Sequence, residues 1–110
     1  NAEELFQTEI KITNDYGIVA AEVHDEAKEI AKEAIIRTLG EKYLREPIVT
    51  PGGDDFHFYT IKRPHLKATM IGLGCDLKPG LHHPNMTFDR NAMFNGVEIL
   101  TEILCIHSRK

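Results

Sequence analysis

The sequence predicts an α/β fold, in the order strand, helix, strand, helix, strand, helix, and three observations lead there. Short runs of alternating or continuous apolar residues take turns with longer stretches whose apolar residues recur every three or four positions. Glycine- or proline-containing turns punctuate these segments. With 42% apolar and 27% charged residues, the composition is that of a folded globular chain and excludes global disorder. A chain of 110 residues makes a single domain, residues 1–110. A domain of that size is expected to bury roughly 65% of the surface its unfolded form exposes.

Residues 8–13 alternate in the period-two manner of a strand, with Ile10 and Ile12 on one side. Asn14 or Asp15 can then cap a long amphipathic helix through Val19, Val23, Ala27, Ile30, Ala31, Ala34 and Ile35 to Leu39. Its other face carries Glu22, Glu26, Lys28, Glu29, Lys32 and Glu33, a solvated surface that places His24 on the exposed side. Gly40 stands where a helix stop favours a positive φ. Residues 47–50 read as a short strand running into Pro51-Gly52-Gly53, after which Asp54 or Asp55 caps a short helix through Phe58 and Ile61. The continuous apolar run at 68–74 reads as a buried, central strand. A loop from Cys75 to Met86 follows, and Thr87 or Asp89 caps a last helix whose Met93, Phe94, Val97, Leu100 and Leu104 form one apolar stripe.

The charge balance narrows the function. A net charge of −4, with no basic cluster longer than Arg109-Lys110, speaks against phosphate-backbone binding, so no nucleic-acid partner is expected. No apolar run approaches the roughly 20 residues that span a bilayer, and the acidic start lacks a signal-peptide pattern. No membrane partner is expected, and the default location is cytoplasmic. Cys75 and Cys105 are too few and too far apart for a metal knuckle or a disulfide framework, and read as free thiols. Asn1-Ala2 is compatible with the scar of a cleaved tag, the natural segment then starting near Glu3.

Two segments carry candidate chemistry. Gly52 and Gly53 at a strand end let the backbone approach a ligand, and Asp54 and Asp55 follow at the head of a helix. Capping alone accounts for one of the two acids. About thirty residues later come His82 and His83, whose side chains point to opposite sides of an extended chain, so one would ligate a metal and the other would contact substrate or support it. A loop with two solvated histidines is the plain alternative. Zinc needs at least three protein ligands, and His24, His57, His65 and His107 have no ligand-spaced partner. Cys75 follows the buried run and reads as a structural thiol.

The ordered set Gly52-Gly53-Asp54-Asp55-Phe56, Gly72-Leu73-Gly74, Leu81-His82-His83-Pro84, Phe88-Asp89 and Gly96 resembles the C-terminal part of the zinc-dependent peptidase family M twenty, closest to its aminoacylase and amidohydrolase branch. The resemblance covers roughly residues 8–106. It implies a longer enzyme with a catalytic α/β domain, in which this chain is the closing portion. It implies zinc or another divalent metal as cofactor, with His82 as one metal ligand. His83 and the stretch Gly52, Gly53, Asp54 and Asp55 would then belong to the substrate pocket. The remaining metal ligands and the general base of such an enzyme match nothing here, and Glu3-Glu4 lies outside the matched segment.

The leading expectation is therefore a portion of a metal-dependent amidohydrolase acting on an N-acyl amino acid or short peptide, without a stably bound metal of its own. Apolar surface left uncovered would favour a homo-oligomer. Two other classes stand beside it: a non-catalytic binding or regulatory module, and a small metal-binding protein using His82 and His83 with acids from a partner.

Overall fold

A computed structural model describes residues 1–13 and 17–110. Four α-helices appear among them: α1 (Ala2–Phe6), α2 (Asp25–Thr38), α3 (Phe58–Lys62) and α4 (Ala92–Ser108). Short 3-10 turns lie at Glu41–Tyr43 and Asp55–His57. None of the described helices is long and apolar enough to cross a membrane.

The α/β expectation is overturned. Among the described residues no strand forms, and backbone pairing between distant segments of that kind is confined to an isolated antiparallel bridge between Lys78 and Thr87. A strand is a property of pairing: an apolar run asks for burial but does not supply the neighbouring backbone that would make a ladder. Residues 47–50 and 68–74 do meet, since a Cβ on Gly72 would stand 3.5 Å from Ile48 Cδ1, yet that contact is through a side chain. Ile48 and Val49 remain 78% and 95% exposed, which is far from a buried strand. Residues 8–13 are likewise irregular, following α1, whose first turn is capped by Asn1 Oδ1 accepting from the Glu4 N–H at 3.0 Å.

The long helix begins later than its pattern predicts. Asn14 and Asp15, the expected caps, lie outside the described residues. Residues 17–23 are not helical, and His24 is the N-cap of α2, its Nδ1 accepting from the Glu26 N–H at 3.2 Å. Gly17 and β-branched Ile18, Val19 and Val23 give this stretch little helix propensity, so the apolar spacing alone does not extend α2 backwards. The His24 N–H donates instead to the Ala68 carbonyl at 3.0 Å. At the other end Gly40 takes φ 101, as a stop residue should.

The core is the seam between α2 and α4. Ala31 and Ala34 of α2, and Ala92, Ile99 and Ile106 of α4, are buried, with Ile30, Ile35, Leu39, Ile71 and Ile103 packed around the Ala34, Ile99 and Ile106 centre. Ala34 is fully buried, its small side chain letting the helices approach closely. Arg37 pairs with Glu33 of its own helix at 2.6 Å and reaches across the seam to Glu102 at 3.4 Å, and these groups are partly exposed, so the pairs contribute modestly. Gly96 admits the 68–74 segment, since a Cβ there would sit 3.2 Å from Leu73 Cδ2.

Burial is much lower than the length predicts. The accessible surface is 9588 Å², against about 6,200 Å² for a folded monomer of this mass. The radius of gyration is 19.2 Å, where about 13 Å is usual for this length. The predicted apolar stripe of the last helix accounts for part of the excess: Met93, Phe94, Val97, Leu100 and Leu104 face outward, and α4 packs through its opposite face.

Candidate functional site

The loop from Cys75 to Asp89 is the most constrained irregular segment. Its ends are tied by the Asp89 N–H donating to the Cys75 carbonyl at 2.7 Å. One step inside, Lys78 and Thr87 exchange two backbone hydrogen bonds, at 2.9 and 2.7 Å. The Lys78–Pro79 peptide is cis, and two tight turns follow, closed by the His83 N–H on the Gly80 carbonyl at 3.3 Å and the Met86 N–H on the His83 carbonyl at 3.1 Å. Asp89 Oδ1 accepts from the Asn91 N–H at 2.9 Å just ahead of α4, but the N-cap of that helix is Asn91, without a side-chain cap bond, so neither Asp89 nor Thr87 is the expected cap, and Thr87 belongs to the bridge.

His82 and His83 have different surroundings on this loop. His82 sits at the second central position of the first turn with φ 66, a left-handed conformation that a glycine would adopt at lower cost. His82 and His83 are both exposed. The Asn85 N–H donates to His83 Nδ1 at 3.0 Å, which fixes that ring and leaves its Nε2 outward. A second left-handed residue, Asp76 with φ 52, pairs with Lys78 at 3.2 Å at the base of the loop.

The glycine-acid segment is built for local order first. Thr50 Oγ1 accepts from the Gly52 N–H at 2.8 Å. Gly53 lies against Ile18, whose methyl carbon would stand 2.8 Å from an added Cβ, so a larger residue there would push the Ile18 side chain aside. Asp54 is the cap: its Oδ1 accepts from the Phe56 N–H at 2.8 Å and starts the turn that leads into α3. Asp55 is not used for capping and lines an open groove with Phe56, Phe58, Tyr59, Lys62 and Arg63. Tyr59, Lys62 and Arg63 carry no motif; Tyr59 follows Asp55 by four residues, and Lys62 and Arg63 follow Tyr59 by three and four, the signal that puts them on one side of a helical turn.

Neither His82 nor His83 lines the Asp55 groove, nor a second groove along α2 bordered by Glu26, Glu29, Glu33, Arg37 and Lys110. Among the described residues, no three His, Cys, Asp or Glu side chains gather to hold a metal ion. Among the described residues the donor set therefore does not fit a zinc site: His82 offers one imidazole where at least three protein ligands are needed. Cys75 and Cys105 are half-buried free thiols.

Comparison with known proteins adds the family. A 73-residue stretch, 66% of this chain, is 33% identical to a Rhodococcus jostii protein named "Putative glutamate--cysteine ligase 2-3". The matched stretch spans only 9% of the length of that relative. No solved structure matches. The sequence profile described as Peptidase family M20/M25/M40 matches residues 7–105. That span takes in both the glycine-acid segment and the histidine loop, and the chain belongs to this peptidase family.

Proposed function

We propose that this chain supplies one side of the active site of an amide hydrolase of its family, acting on an N-acyl amino acid or a short peptide. The observation that carries the reading is His82, exposed at φ 66 on a loop pinned at both ends by backbone hydrogen bonds. A left-handed φ fixes the backbone that carries the His82 imidazole on this tied loop. Family membership supports the hydrolase class. The ligase name of the Rhodococcus protein belongs to a chain most of whose length lies outside the match, and it is not carried over.

Within this reading each residue has a bounded task. His82 presents one imidazole nitrogen, the point at which zinc or another divalent metal would be held. His83, with Nδ1 already engaged by Asn85, has Nε2 to offer a substrate. Asp54 is spent on capping, which moves the binding role to Asp55 and the Phe56, Phe58 and Tyr59 rings beside it.

The test is hydrolysis of a panel of N-acyl amino acids and dipeptides by the full product of the encoding gene, with zinc supplied, alongside His82→Ala and His82→Gly. Both variants are expected to lose more than the roughly 100-fold that removing a supporting group produces. His82→Gly should remain folded and at least as stable, because glycine accepts the turn's φ without strain. Turnover unchanged in both variants, or no turnover of any acylated substrate by the parent, contradicts the proposal.

A further inference from the structure

Residues 56–67 run against the charge of the chain: where the whole carries −4, they hold Lys62, Arg63 and Lys67 and no acid. Lys67 is paired with Glu26. Lys62 and Arg63 have no carboxylate partner among the described residues, although both line the groove that Asp55 borders. Neighbours inside a helix would point about 100° apart. Here α3 ends between them, because Pro64 disfavours a helical Arg63, which takes φ −137 and ψ 77 with its N–H on the Tyr59 carbonyl at 2.8 Å. The Arg63 guanidinium donates to the Lys62 carbonyl at 3.1 Å, which holds it at the helix end beside Lys62. Between these cations and Asp55 stand Phe56 and Tyr59, whose rings meet edge to face at 5.8 Å. Seven residues of helical rise put Lys62 about 12 Å along the axis from Asp55, so charges of opposite sign mark the two ends of an aromatic wall.

We propose that this groove selects the amino-acid half of the substrate, taking its free α-carboxylate on Lys62 and Arg63 and an aromatic side chain against Phe56 and Tyr59. The inference rests on the amide-hydrolase reading above and adds which acylated amino acids and peptides are preferred. Two cations without a counter-charge favour an anion, and a planar carboxylate matches the guanidinium fork. Arg63 spends one of its five donors on the Lys62 carbonyl and keeps four. Tyr59 is 62% exposed, so its ring is open to a third ring packed edge to face or offset. An apolar protein surface laid here would strip water from both cations and return nothing for it, whereas a small anion carrying a ring satisfies the two halves of the groove together. Asp55 at the far end repels a second carboxylate, and so sets the direction in which the ligand lies.

Steady-state hydrolysis of N-acetyl-phenylalanine, its carboxamide and N-acetyl-alanine by the full product of the encoding gene, with zinc supplied, tests this. The parent should favour N-acetyl-phenylalanine over each of the other two by about 10-fold or more in kcat/KM. Lys62→Gln combined with Arg63→Gln should raise KM for N-acetyl-phenylalanine about 10-fold or more, keep kcat within about twofold, and leave the carboxamide unaffected. Tyr59→Ala should narrow the preference for phenylalanine over alanine while keeping that for the acid over its amide. Equal parent rates on the acid and its amide overturn this inference and leave the hydrolase reading standing. So does a loss in the paired variant that falls on both alike, the result expected if the rest of the enzyme covers the groove. If the parent hydrolyses no acylated substrate, the hydrolase reading fails and this inference fails with it.

Discussion

Glu26 shows how local geometry sets the behaviour of a single residue. Its carboxylate accepts a hydrogen bond from Lys67 Nζ, a partner 41 positions away, and that bond together with the ammonium charge holds the Glu26 carboxyl below the usual carboxylate range. The periodic pattern shows Glu26 only as one charge on a solvated helix face; the Lys67 partner depends on how the 67–74 segment returns to the start of α2. Because the folded pKa is depressed, the stabilisation is present above the ordinary glutamate pKa and is lost as pH falls through the lower folded value. Carbon-detected NMR titration should find the Glu26 midpoint below the ordinary glutamate range, and Lys67→Met should return it to that range. A Glu26 midpoint in the parent that Lys67→Met leaves unmoved would contradict the pairing.

At the scale of elements, what was legible was periodicity and capping, and what was not was partnership. Asp54 opening a turn into the 58–62 helix, Gly40 closing α2 and a long final helix were all readable because each depends on residues within a few positions. The start of α2 was misread because apolar spacing extends past the point where the backbone leaves the helix at His24. The strands at 8–13, 47–50 and 68–74 were misread because alternation and apolar runs report a demand for burial that needs neighbours to become a sheet. The apolar stripe of α4 was readable, but the side that packs was not: this helix is apolar on two sides, and Ile99 and Ile106 make the contact with α2. Ile99→Ala should therefore cost about 2–4 kcal/mol in denaturant unfolding. If that substitution proves neutral, the α2–α4 seam is not what holds the chain together.

For the whole molecule, surface and site tell the same story. A chain with 9588 Å² accessible, a radius of gyration of 19.2 Å and a two-helix core presents more apolar surface than a folded monomer of its mass needs to. Its histidine loop is locally complete, yet no three donor side chains gather around it among the described residues. The sequence made the histidine loop and the glycine-acid turn visible because both are short, and it could not show that Asp55 would line a groove with Tyr59, Lys62 and Arg63. The account's central claim is that the chain carries one metal donor and not a site. Isothermal titration of zinc into the 110-residue chain tests it most directly. The account predicts no saturable one-to-one isotherm below about 100 µM, since one imidazole is two ligands short of the minimum. Stoichiometric micromolar binding that disappears in His82→Ala would contradict it.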